Sequence, residues 1–203
     1  VSEKIIRKPG GLSSEEWSKI QEHPQLGSNL TKRMEGMHEI VGRLIYEHHI
    51  KFDMSGYPKT ANPTHPLTQF ITISDAYDAL TTLRVYQRPH DPVEAIRIMQ
   101  NFAGRHFNPE ILKTFIQMIG VYPVGTMVRL NTNEIGIVTR LNPISTDAPV
   151  VKVVYGADGN TLDVPYELNL TADSGGSGKG ILSTVNPATV NVDIGAFFEK
   201  EAG

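Results

Sequence analysis

Apolar positions recur at helical intervals through the first two thirds of the chain and alternate in short runs after that. Ser13 and Glu16 have the spacing of a capping box and precede Trp17, Ile20, Leu26 and Leu30 at roughly helical intervals. Pro24 disfavours helical geometry at His23, so this stretch divides into two helical pieces with His23 at the joint. Ile40, Val41, Leu44 and Ile45 form an i, i+1, i+4, i+5 stripe that predicts a helix over about 37–49. "PLTQFITISDAYDALTT" predicts another over about 66–83. Asp91-Pro92 with Glu94, and Asn108-Pro109 before Ile111, Leu112, Phe115 and Ile116, each read as a cap followed by a first-turn proline. Gly120 reads as a helix stop.

The pattern changes at about residue 121. "TMVRL", "IGIVTRL", "PVVKVVY" and "NTLDVPYEL" are short and rich in β-branched residues, with turn-forming stretches such as "ADGN" between them, and predict a small antiparallel β domain. "TADSGGSGKG" reads as a flexible linker. Its Gly-Lys is not a phosphate-binding loop, because Asp173 stands at the first required glycine and Gly180 replaces the magnesium-binding hydroxyl. The expected organisation is a helical part over 1–120, a barrel-like β part over 121–170, and linker plus tail over 171–203.

Composition narrows the classes without choosing one. The 203 residues carry a formal net charge of -3, so nothing in the balance calls for DNA or an anionic membrane. There is no cysteine, which excludes thiolate metal sites and fits a reducing cytoplasm. No apolar run is long enough to span a bilayer. The chain opens without methionine, which reads as a fragment or a processed product.

The candidate chemistry lies at the end of the 37–49 stripe. His48 follows Leu44 by four residues and His49 follows Ile45 by four, which turns both imidazoles inward. They are either core histidines bonded to main-chain carbonyls or ligands of a metal. Asp75, four residues after Ile71 and eight after Leu67, continues an apolar face, and Asp78 follows at i+3. The alternatives for these two are a solvated face or a pairing with Arg84. With His23, the set resembles a site that draws single ligands from successive helices.

"HHIKFDMSGYP" resembles the HHExxDGxGYP signature of HD-GYP domains. "RKPGGLSSEEWSKIQEHPQLG", "ISDAYDALTTLRVYQRP" and "FNPEILKTF" resemble further family stretches, in order, across residues 1 to about 120. The resemblance implies a mainly α-helical HD-type bundle, incomplete at its N-terminus, with the family's first ligand histidine, HD pair and lysine lying upstream. It implies two or three divalent metal ions, iron or manganese first, on His23, His48, His49 and Asp75. Asp78, Arg84 and the loop Gly56, Tyr57 and Pro58 would meet substrate. The implied activity is metal-dependent hydrolysis of cyclic di-GMP in the parent protein, with this piece inactive alone. GGDEF-domain proteins are the implied partners and the cytoplasm the expected location; loss of the upstream helices should expose apolar surface, which predicts pairing with a second copy of the chain. Three positions depart from the pattern: Ile50 follows the histidine pair in place of glutamate, Met54 replaces a loop glycine, and Gln87 replaces a basic residue. They point to a degenerate module for nucleotide sensing or partner docking as the alternative.

Overall fold

Capping side chains set the helix starts. In the computed structural model, which describes residues 2–82, 89–173, 178–190 and 198, a short α1 (Glu3–Ile6) precedes α2 (Ser14–Gln21). Ser13 Oγ accepts from the Glu16 N–H and Glu16 Oε2 from the Ser13 N–H, at 3.2 and 2.8 Å, which closes the expected capping box. α3 (His23–Thr31) starts at the predicted joint with Pro24 in its first turn. α4 (Glu39–Glu47) and α5 (Pro66–Thr81) start behind His38 and His65, whose Nδ1 atoms accept from Ile40 and Leu67. α6 (Pro92–Asn101) and α7 (Pro109–Ile119) start behind Asp91 and Asn108, whose Oδ1 atoms accept main-chain N–H bonds. Gly120 ends α7 at φ 78°.

The chain divides into a unit of Val1–His90 with Glu94–Phe115 and a unit of Asp91–Val93 with Ile116–Gly203. In the first, α3 and α4 approach closely through two glycines. A Cβ on Gly27 would stand 2.8 Å from Ile45 Cγ2, and one on Gly42 would stand 2.9 Å from Thr31 Oγ1. This approach carries His23 on α3 toward His48 at the end of α4.

Two expectations change here. The buried face of α5 is Thr68, Gln69, Thr72 and Ile73, whereas Leu67 and Ile71 are 50% and 38% exposed. Asp75 therefore does not continue a buried face, and Asp78 is exposed as well. The reason is a polar anchor: Thr68 donates to the buried Glu47 carboxylate at 2.8 Å and Thr72 to the His48 carbonyl at 2.9 Å, which turns the hydroxyl face of α5 inward. Trp17, Leu26 and Leu30, which recur at roughly helical intervals, are likewise exposed.

The second unit is a five-stranded antiparallel sheet of β1 (Met127–Leu130), β2 (Ile135–Arg140), β3 (Val150–Tyr155), β4 (Thr161–Asn169) and β5 (Ile181–Thr184). The strand order is β4-β3-β2-β1-β5. Its core holds Val128, Leu130, Val138, Val151 and Val153, with Leu168 and Leu170 beside them. A short helix, α8 (Leu170–Asp173), follows β4. β5 falls within the stretch expected as linker and tail. It pairs with β1, Val128 opposite Thr184, because β1 offers a second edge that local composition cannot reveal.

Candidate metal centre

Three imidazoles meet where α3 faces the end of α4. One nitrogen each from His23, His48 and His49 lies within 4.8 Å of the other two. His23 Nδ1 lies 2.8 Å from the Ile20 carbonyl and His48 Nδ1 lies 2.6 Å from that of Ile45. A carbonyl only accepts, so both Nδ1 atoms carry hydrogen and donate. In neutral rings both Nε2 atoms are then bare acceptors, and they face each other at 3.1 Å. Two lone pairs do not share that space without a proton or a metal ion between them. Nitrogens bound at about 2.0–2.1 Å to one ion stand roughly 3 Å apart at octahedral and tetrahedral angles, so the spacing fits a shared metal.

Electrostatics keeps the His48 and His49 rings neutral and ready to ligate. Burial, with the His23 charge added, holds His48 below the ordinary imidazole range, against the Ile45 carbonyl bond that pulls the other way. Burial and then the charges of His48 and His23 push His49 down to about 3. Asp75 Oδ2 lies 4.0 Å from His49 Nδ1 with its side chain 46% exposed. It borders the group of three rather than belonging to it.

The Gly-Tyr-Pro turn folds back on the pair. Gly56 bridges to Ile50 at φ 93°, and a Cβ there would stand 2.3 Å from the His49 carbonyl oxygen. The Tyr57 ring lies 4.7 Å from that of His49 and 6.3 Å from that of His23. Burial, with the Asp75 charge, pushes its phenol up to about 12, so it is a neutral donor at the cavity wall. Met54 takes φ 63°, a left-handed geometry that its side chain tolerates poorly, while Ile50 is a core residue 1% exposed.

The family model described as HD domain matches residues 2–111, more than half of the chain, and the match spans every one of these groups. The chain belongs to the HD domain family. A cyclic di-GMP phosphodiesterase of Pseudomonas aeruginosa is 33% identical over 159 residues, covering 77% of this chain and 38% of that protein. One of Thermotoga maritima is 26% identical over 58% of this chain and 33% of its own length. A 3'3'-cGAMP-specific phosphodiesterase of Vibrio cholerae is 29% identical over 58% of this chain and 23% of its own length. The chain thus spans well under half the length of these curated relatives.

The HD domain brings together three of the four expected ligands. Tyr57 lines the cavity over them, with Asp75 at its edge. Asp78 Oδ1 accepts from Thr82. Arg84, with Gln87, lies outside the described residues. Glu47 is the group that sequence reasoning missed. It is 6% exposed and accepts from Arg43 Nε at 2.7 Å, the His65 N–H at 2.8 Å and Thr68 Oγ1 at 2.8 Å. Burial alone would raise its pKa, but these bonds outweigh it and hold the carboxylate below its usual range. Its position directly before the histidine pair, with Arg43 at i−4, was the available signal.

Proposed function

We propose that this HD domain binds divalent metal on His23, His48 and His49, with Asp75 as a further oxygen donor. In the whole protein it hydrolyses a phosphodiester of a cyclic dinucleotide, cyclic di-GMP first. The observation that carries the reading is the pair of bare Nε2 atoms facing each other at 3.1 Å. The named relatives support the substrate class, since both activities act on guanine-containing cyclic dinucleotides. Nitrogen and carboxylate donors without thiolate suit iron or manganese, with zinc as the competing ion. When bound, such an ion supplies water activation and charge neutralisation at a phosphoryl group.

The protein's own groups do the rest. The Ile20 and Ile45 carbonyls hold the tautomers that free both Nε2 atoms. Asp75, open to solvent in the cavity lining, would supply the carboxylate oxygen beside the three nitrogens. Asp78, Arg84 and the loop of Gly56, Tyr57 and Pro58 are proposed substrate contacts, the loop also being a surface for GGDEF-domain partners. We place the activity in the cytoplasm.

Metal analysis with a cyclic di-GMP cleavage assay on the whole protein tests the reading. His48→Ala should lose metal and cleavage together while the helical circular dichroism signal persists. Cleavage that survives complete chelation would sink the proposal. Metal-loaded protein that binds the nucleotide without cutting it would favour a sensing module, the reading that the left-handed Met54 motivates.

A further inference from the structure

The cavity over the imidazoles, about 880 Å³, has two chemically different ends. His23, His48, His49 and Asp75 make the polar end. Ile5, Ile6, Leu12, Trp17 and Ile20 make the other, with Tyr57 between. Trp17 is 47% exposed although it stands on the side of α2 that meets the cavity. Its ring lies 6.1 Å from that of Tyr57 at 80°, an edge-to-face contact, and Tyr57 in turn lies against His49. Gly10 and Gly11 also line the cavity. A Cβ on either would meet nothing within 4 Å, so the lining is open at these two residues. A large aromatic held half bare at the apolar end of a metal cavity costs burial that the helix could otherwise gain. The cost is recovered when a flat apolar ligand group covers it.

We propose that Trp17 is the nucleobase platform of this site: a purine stacks on the indole while its phosphate lies at the imidazoles. The inference rests on the metal-nucleotide reading above and adds the residue that selects a base-bearing ester over a bare phosphate. Base–aromatic stacking tolerates any base, which suits relatives named for cyclic di-GMP and for 3'3'-cGAMP alike.

The chain has one tryptophan, so its fluorescence reports on this position alone. The manganese-loaded full chain is titrated with GMP and with ribose 5-phosphate, and binding is followed in parallel by calorimetry. GMP should quench the emission, and ribose 5-phosphate, bound to the same occupancy, should not. Equal quenching by both, or GMP binding with emission unchanged, overturns the stacking and leaves the metal-phosphate reading standing. Absence of binding by either overturns both. By calorimetry, Trp17→Ala should weaken GMP roughly 5- to 150-fold and Trp17→Phe should restore most of the loss, with ribose 5-phosphate much less affected by either. Trp17→Ala that folds and binds GMP as tightly as the parent chain overturns the proposal.

Discussion

His49 sits between three environments that all disfavour its charge: the buried end of α4, the His48 ring 4.1 Å away and the His23 ring 4.9 Å away. Its pKa falls to about 3, against about 6.5 for an imidazole in an unfolded chain. Between those values the unfolded chain takes up a proton that the folded chain refuses. The stability this residue permits is complete above about pH 6.5 and declines as pH falls toward 3. The urea midpoint of metal-free protein should be flat from about pH 7 to 8 and drop below about 6.5, and His49→Gln should flatten that drop. A midpoint unchanged down to about pH 5 would contradict the neutral, buried imidazole. At Gly56 the constraint is steric. A methyl group there meets the His49 carbonyl at 2.3 Å, on a residue whose φ is already 93°. Gly56→Ala should cost about 1–3 kcal/mol in chemical denaturation and weaken metal binding with it, because relief must move either the turn or His49.

Helix α3 carries one of the three imidazoles and α4 leads into the other two, so the distance between the helices sets their spacing. Gly27 permits that distance: its substitution by alanine meets Ile45 Cγ2 at 2.8 Å, and Ile45 is also the residue whose carbonyl orients His48. Gly27→Ala gains up to about 1 kcal/mol of helix propensity and spends it against this contact. Net stability should change by less than about 1 kcal/mol while metal affinity falls roughly tenfold or more, read by competition with a chelating dye. A variant that lost neither would show that the helix spacing does not govern the site. The same elements show what a sequence makes legible. Helix starts at Ser13, Asp91 and Asn108 could be read because the cap and the N–H it satisfies lie within three residues of each other. The α4 stripe pointed toward His48 and His49, although the helix expected over 37–49 ends at Glu47 and both rings, like the stripe itself, are only partly buried. The face of α5 was not, because Glu47, eighteen or more residues away from His65 and Thr68, decides it by drawing hydroxyls inward and leaving Leu67 and Ile71 outside. β5 escaped for the same reason, its partner β1 lying some fifty residues back.

At the scale of the molecule, the two units differ in how much polar side chain they bury beside their apolar cores. The sheet unit buries aliphatic side chains completely, Val128, Leu130, Val138, Val151 and Val153 being 0% exposed. The helical unit buries Ile50, Ile73, Ile96, Met99 and Leu112 together with Glu47, Thr68, Gln69, Thr72 and Ser28, while Leu26, Leu30 and Leu67 remain 46–61% exposed. Buried hydroxyls and amides return little beyond the water bonds they give up, whereas exposed leucines forgo burial that would stabilise directly. The three clustered imidazoles all lie in the helical unit, so metal bound to them would stabilise that unit first. Metal that binds only the folded state adds about 2.7 kcal/mol at a hundredfold excess over its Kd. Hydrogen exchange locates that gain. Adding manganese to chelator-treated protein should slow exchange of the α3, α4 and α5 amides, where the proposed ligands and their anchors lie. His48→Ala should abolish the slowing. The β2 and β3 amides, held by aliphatic burial with no ligand among them, should exchange as before. Equal slowing in the strands would mean that the whole chain opens as one cooperative unit, and the helical part would then have no separate dependence on metal.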